Sequence, residues 1–205
     1  MGRILPGALD NKYRNIHSQE WSLAKAVASA VIEVQPVSAW EILIPVLFLF
    51  SFFRVKRSKE TFRLNFLFTK KLALEAAFAM VEKGRSREEA RANIREKTGS
   101  LLAGDKAGIY SDKIRQKQLK EMDLLIEHYS RLLRAEGKDY PSMVRNAYQT
   151  REGYGDFLRE LEEAEQEVYR AATQTVKTSS AREIASRMEE AAARVRRAEM
   201  DRIFC

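Results

Sequence analysis

The chain has 205 residues, with 36 Lys and Arg against 29 Asp and Glu, a net charge of +7, four Pro, nine Gly and a single cysteine at position 205. That size suits one domain with an attached segment, and 32% charged residues with so few breakers suits helices. One cysteine excludes an intramolecular disulfide and a cysteine-built zinc site. It also lacks the position that prenylation requires.

In chain order, residues 1–17 read as an N-terminal tail and residues 18–35 as an amphipathic helix. Trp21, Ala24, Val27, Ala28, Val31 and Ile32 recur at helical spacing and Pro36 closes the stretch. This face either lies on a membrane or packs on the rest of the chain. If it packs, both helices flanking the next segment sit on one side, and that segment cannot cross a bilayer.

Residues 36–55 form the most distinctive stretch. Trp40, Ile42, Leu43, Ile44, Pro45, Val46, Leu47, Phe48, Leu49, Phe50, Phe52 and Phe53 make an apolar rod. A collar of Arg54, Lys56, Arg57, Lys59 and Arg63 follows at once. With Lys70 and Lys71, residues 54–71 hold seven bases and the single acid Glu60, so nearly all of the net charge sits here. Hydrocarbon accepts such a rod and anionic headgroups attract such a collar, so the segment reads as a membrane anchor. Trp40 suits the interface, and Ser38 with Glu41 fits a capping box opening the anchor helix. The order of rod and bases is opposite to that of a cleaved signal.

Twelve residues at about 1.5 Å each cover only about 18 Å of a hydrocarbon core of about 30 Å, and Pro45 should kink or break the helix. Three readings fit: a single short span with the positive flank cytoplasmic, a re-entrant or surface-lying anchor, and a buried core helix of a soluble protein. The aromatics interleaved with the collar also suit single-stranded nucleic acid, but a basic patch confined beside an apolar rod favours lipid.

Residues 56–205 read as a cytoplasmic helical domain. One helix runs from Thr61 to Glu82, stopped at Gly84. Ser86 and Glu89 box a short helix to about Lys97, and Gly99, Gly104 and Gly108 mark a loop. Ser111 to Glu136 carries the stripe Met122, Leu125, Ile126, Tyr129, Leu132 and Leu133. Residues 138–155 read as a broken connection with a short helix from Pro141 to Tyr148.

The last two helices show heptad seams, Phe157, Leu161, Ala164, Val168, Ala171 and Thr175, then Ile184, Met188, Ala191, Val195 and Ala198 after a cap at Ser180. They pair as a hairpin or serve a protein partner or a second copy of the chain. The fold class is therefore all-α: a short N-terminal anchor helix, then a multi-helix bundle ending in a helical hairpin.

Chemistry is sparse. Gly99 to Lys106 imitates a phosphate loop, but Asp105 repels phosphate and Ala107 lacks the magnesium-binding hydroxyl. His17 and His128 are far apart and read as solvent-exposed, and Leu125 stands where a di-iron site needs a glutamate. Glu160, Glu162, Glu163, Glu165 and Glu167 read as a solvated face. No catalytic, metal or cofactor site is expected. The reading is a membrane-anchored interaction or scaffold protein with the bulk of the chain on the cytoplasmic side; the alternative from another class is an enzyme assembled from scattered acids and tyrosines.

Pro36 to Trp40, Ile42 to Pro45, Leu67 to Lys71 and Gly84 to Ala90 resemble an uncharacterised group of bacterial membrane-associated proteins with a short apolar segment and a helical remainder. The resemblance spans about residues 20–95. It implies membrane association and carries no activity.

Overall fold

A computed structural model describes residues 6–32, 59–105, 110–176 and 179–205. Among them there is no strand, and the helices are α1 (Pro6–Ile32), α2 (Lys59–Lys83), α3 (Arg87–Gly104), α4 (Asp112–Arg134), α5 (Tyr140–Tyr148), α6 (Arg151–Val176) and α7 (Ser179–Ile203). The chain is all-α, a helical bundle.

Local chemistry sets the ends. Gly84 takes φ 65° after α2, a left-handed turn that glycine adopts without a Cβ clash. The Ser86 hydroxyl accepts from the Glu89 amide at 3.1 Å while the Glu89 carboxylate accepts from the Ser86 amide at 2.7 Å, the reciprocal box that opens α3. Ser111 caps α4 and Asp139 caps α5. Gly137, at φ 135°, is obligatory, since a Cβ there would lie 2.5 Å from Ser142 Oγ and 2.8 Å from the Met143 amide.

Several expectations are corrected. The tail over 1–17 is helical from Pro6, because Leu9 and Ile16 lie on one face and are buried. Gly99 is a residue of α3, which runs to Gly104, so the loop begins later. Gly153 and Gly155 belong to α6, and the broken connection ends at Thr150. The anchor residues from Trp40 to Phe53, and Arg54, Lys56 and Arg57, lie outside the described residues. Ser180 is already a residue of α7, which includes Ser179, so it is not the cap that precedes the helix. Lys59 and Arg63 stand in the first turns of α2. No helix among the described residues is long and apolar enough to cross a membrane.

α4 runs through the middle and touches α1, α2, α3, α5 and α6. α1 lies antiparallel along α2: Tyr13 meets Phe78 edge-on at 5.2 Å, whereas Leu23, Ala24, Val27 and Ala28 share a cluster with Phe66 and Leu67. The carboxyl end of α1 and the amino end of α2 therefore lie at the same pole. The apolar face of α1 packs on the bundle, against Ile184, Met188 and Ala191 of α7 among others.

The core is divided in two. One cluster, at the pole just named, holds Val27, Phe66, Ile114, Val168, Ala172 and Met188; the other, at the opposite pole, holds Leu9, Leu74, Leu125, Leu132, Met143 and Ile203. Five helices, α1, α2, α4, α6 and α7, contribute buried residues to both.

Candidate functional site

At that boundary each of the five long crossing helices carries a polar side chain where its apolar stripe would continue. These are Glu20 on α1, Thr69 and Lys70 on α2, Gln118 and Glu121 on α4, Glu165 on α6, and Arg196 and Glu199 on α7. Lys70, Glu165 and Arg196 are only 2%, 6% and 4% exposed. A polar layer thus cuts the apolar core.

Its centre is Glu165. Both nitrogens of the Arg196 fork donate to it at 2.7 Å, and Lys70 Nζ donates to Oε1 at 3.0 Å. Bidentate guanidinium pairing is the strongest arrangement available for a buried carboxylate. Burial alone would disfavour the charge, but Arg196 and Lys70 outweigh it and hold the Glu165 carboxyl down to about 2.

Around this pair the acids outnumber the bases. Glu121 accepts from the Thr69 hydroxyl at 3.1 Å and stands 3.9 Å from Lys70; burial pushes its carboxyl up to about 7 against the pull of Lys70. Glu199 accepts from the Tyr154 hydroxyl at 3.1 Å and from the Gln19 amide, and burial raises its carboxyl too. Glu20 Oε1 accepts from the Tyr129 hydroxyl at 2.8 Å. Four carboxyls thus gather where Lys70 and Arg196 are the buried cations.

His128 extends the layer into the second cluster. It is buried, Nδ1 lies 2.7 Å from the Tyr148 hydroxyl, and its ring stacks on Phe157 at 4.2 Å. Burial, then Arg131, push it down to about 3, which leaves a neutral imidazole.

Two cavities of about 20 Å³ each open inside the layer, one beside Glu20, His128, Tyr154 and Glu199, the other beside Lys70, Glu121 and Tyr169. A water needs about 10–15 Å³ of such space, so each suits one water and no substrate. Glu20 Oε2, buried without a partner among the described residues, borders the first. A cleft of about 220 Å³ between α6 and α7, with Glu162, Glu189 and Glu190 at its mouth, reaches Glu165 and Arg196 and connects the layer to solvent. Among the described residues no group of His, Cys, Asp or Glu is arranged to hold a metal ion. Lys70 and Arg196 occupy the charge-balancing role that a metal plays in carboxylate-rich bundles.

The sequence reading placed none of this inside. Glu165 is the buried centre of the layer, not part of a solvated face, because its position falls on the stripe Leu158, Leu161, Val168 and Ala172. His128 is buried, not exposed, for the same reason, lying between Leu125 and Leu132. Lys70, counted with the cationic collar, is paired inside the bundle; Lys71 remains exposed and faces Glu75 at 3.8 Å. A charged residue filling a vacant slot in an apolar stripe was the available signal. Gly99 to Gly104 form the last turns of α3.

The seams of the last two helices are buried, but rotated. Ile184, Met188 and Ala191 are covered, whereas Thr175 and Ala198 face solvent and Arg196 and Glu199 turn inward. Comparison with protein families, curated proteins and solved structures finds no match for the chain.

Proposed function

We propose that the chain is a membrane-anchored helical interaction or scaffold protein, held by residues 36–55 on the cytoplasmic face of a bacterial inner membrane with anionic headgroups. One observation carries this reading: α1 ends and α2 begins at one pole of a single packed body. A single crossing by the segment between Ile32 and Lys59 would put α1 and α2 on opposite sides and cost their shared core. The geometry favours an anchor that enters and leaves one leaflet, with Pro45 dividing it into two short arms.

The collar then falls where it is useful. Lys59 and Arg63 lie in the first turns of α2, next to the anchor, and with Arg54, Lys56 and Arg57 they would meet lipid phosphates. The layer supplies rigidity rather than catalysis in this reading, since charges that pair across five helices fix their axial register. The seams of α6 and α7 are consumed inside the chain, so a protein partner or second copy would use the outer faces.

Carbonate extraction of membranes tests the reading. The full chain should stay with the membrane pellet, and Phe48→Asp with Phe50→Asp and Phe52→Asp should release it with an unchanged melting temperature. Release of the native chain by carbonate would overturn the anchor.

A further inference from the structure

Opposite the anchor pole, α2, α3, α4 and α5 border a groove of about 550 Å³ that is open along one side. Met80 marks the α2 wall, 21 residues beyond Lys59. At about 1.5 Å per residue, the groove lies roughly 30 Å from the anchor end, away from any membrane surface.

Three guanidinium groups edge it, from Arg87, Arg131 and Arg134. Among the described residues one carboxylate pairs with them, Glu127, at 3.4 Å from Arg87 and 3.7 Å from Arg131. Arg134 is exposed and has no ion pair among the described residues. Arg131 lies over the Tyr148 ring, 4.8 Å from its centre, which fixes its direction.

The end of α4 would ordinarily repel an anion here through its free carbonyls. Lys12 removes that obstacle. Its Nζ donates to the carbonyls of Leu133 at 3.2 Å and Ala135 at 2.6 Å, and Asn146 donates to that of Glu136 at 2.9 Å. The groove also borders Ser130, only 4% exposed, whose hydroxyl has no partner among the described residues. Between the charges, half-buried Met80 and Ala147 supply apolar contact.

Pockets for small ligands bury most of the ligand surface, and this open groove does not. An extended segment satisfies it better. We infer that the groove docks an acidic segment of a partner protein, with a carboxylate taken by Arg131 and Arg134 and an apolar neighbour seated on Met80 and Ala147. This rests on the scaffold reading and names its partner class. It does not need the anchor to insert, so its failure and the anchor's are separate.

The test uses the full chain in detergent and fluorescein-labelled peptides of glutamates around one central leucine, read by anisotropy against empty micelles. The peptide should bind, its counterpart with glutamine should not, and Arg134→Glu should weaken binding by about tenfold with an unchanged melting temperature. Absence of binding, or equal binding by Arg134→Glu, would overturn the proposal. So would displacement by millimolar inorganic phosphate alone, which would make this a small-anion site.

Discussion

Arg196→Met should lower the free energy of unfolding by about 3–5 kcal/mol, the usual cost of removing one partner from a buried ion pair. Glu165 would lose both of its 2.7 Å bonds and keep only Lys70, while Glu20 would lose the attraction of the nearby guanidinium. Arg196→Lys should fall between, because an ammonium keeps the charge and loses the planar fork. The informative comparison is the fourfold change Lys70→Met, Glu121→Gln, Glu165→Met and Arg196→Leu, which removes both cations together with the two acids that Lys70 and Arg196 meet. The desolvation cost then goes along with the attraction, so this variant should lie closer to the native chain than the single one. Urea titrations followed by circular dichroism would measure all three. A single variant as stable as the native chain would mean that the layer contributes nothing to the fold.

The second large effect is one of pH. In the folded chain the Glu121 carboxyl rises from its ordinary 4.5 to about 7, chiefly by burial. Between these values the native state holds a proton that the unfolded chain has released, so stability from this group falls as pH rises through the window and is lost above about pH 7. Glu165 works in the other direction: its carboxyl is held down to about 2, so its contribution is present above 4.5 and disappears as pH falls toward 2. The two windows meet near about pH 5, where the layer is most stable.

Glu121→Gln keeps an acceptor for the Thr69 hydroxyl and removes the charge. At about 1.4 kcal/mol per unit, the variant should gain on the order of 3 kcal/mol at about pH 8 and less than about 1 kcal/mol at about pH 5. Thermal melts at both values would show it. A variant with the native chain's full pH slope would assign that slope to other groups.

These effects were missed in the sequence for a definite reason. Periodicity counts apolar residues, so charged residues on a stripe are assigned to solvent even where their spacing places them inside. Glu165, Arg196 and His128 are of this kind: the stripe marks their slots, and their cross-helix partners show that the slots are filled inside. Helix ends were legible where short-range chemistry decides them, as at Gly84, Ser86 and Ser111, whereas α4 stops at Arg134, two residues before the expected Glu136. The first half of α1 was not, because Leu9, Tyr13 and Ile16 are three apolar residues among polar neighbours and acquire meaning only against α2.

The seam error has a geometric cause. A strict heptad repeat turns by about 20° per heptad relative to a straight α-helix, so Thr175 and Ala198 drift outward at the far ends of their seams. Buried positions of α6 instead follow Leu158, Leu161, Glu165, Val168 and Ala172. The expected hairpin of α6 and α7 is present, closed by the Glu165–Arg196 pair and, nearer the carboxyl end, by Arg151 with Asp201.

Sidedness tests the central claim, one folded body on one face of a membrane. In a Cys205→Ser background, Lys25→Cys on α1 and Lys71→Cys on α2 place thiols at exposed positions before and after the anchor. A membrane-impermeant maleimide should label both in inside-out vesicles and neither in intact spheroplasts. Labelling of Lys25→Cys from outside with Lys71→Cys protected would put α1 across the bilayer from the bundle and contradict the account.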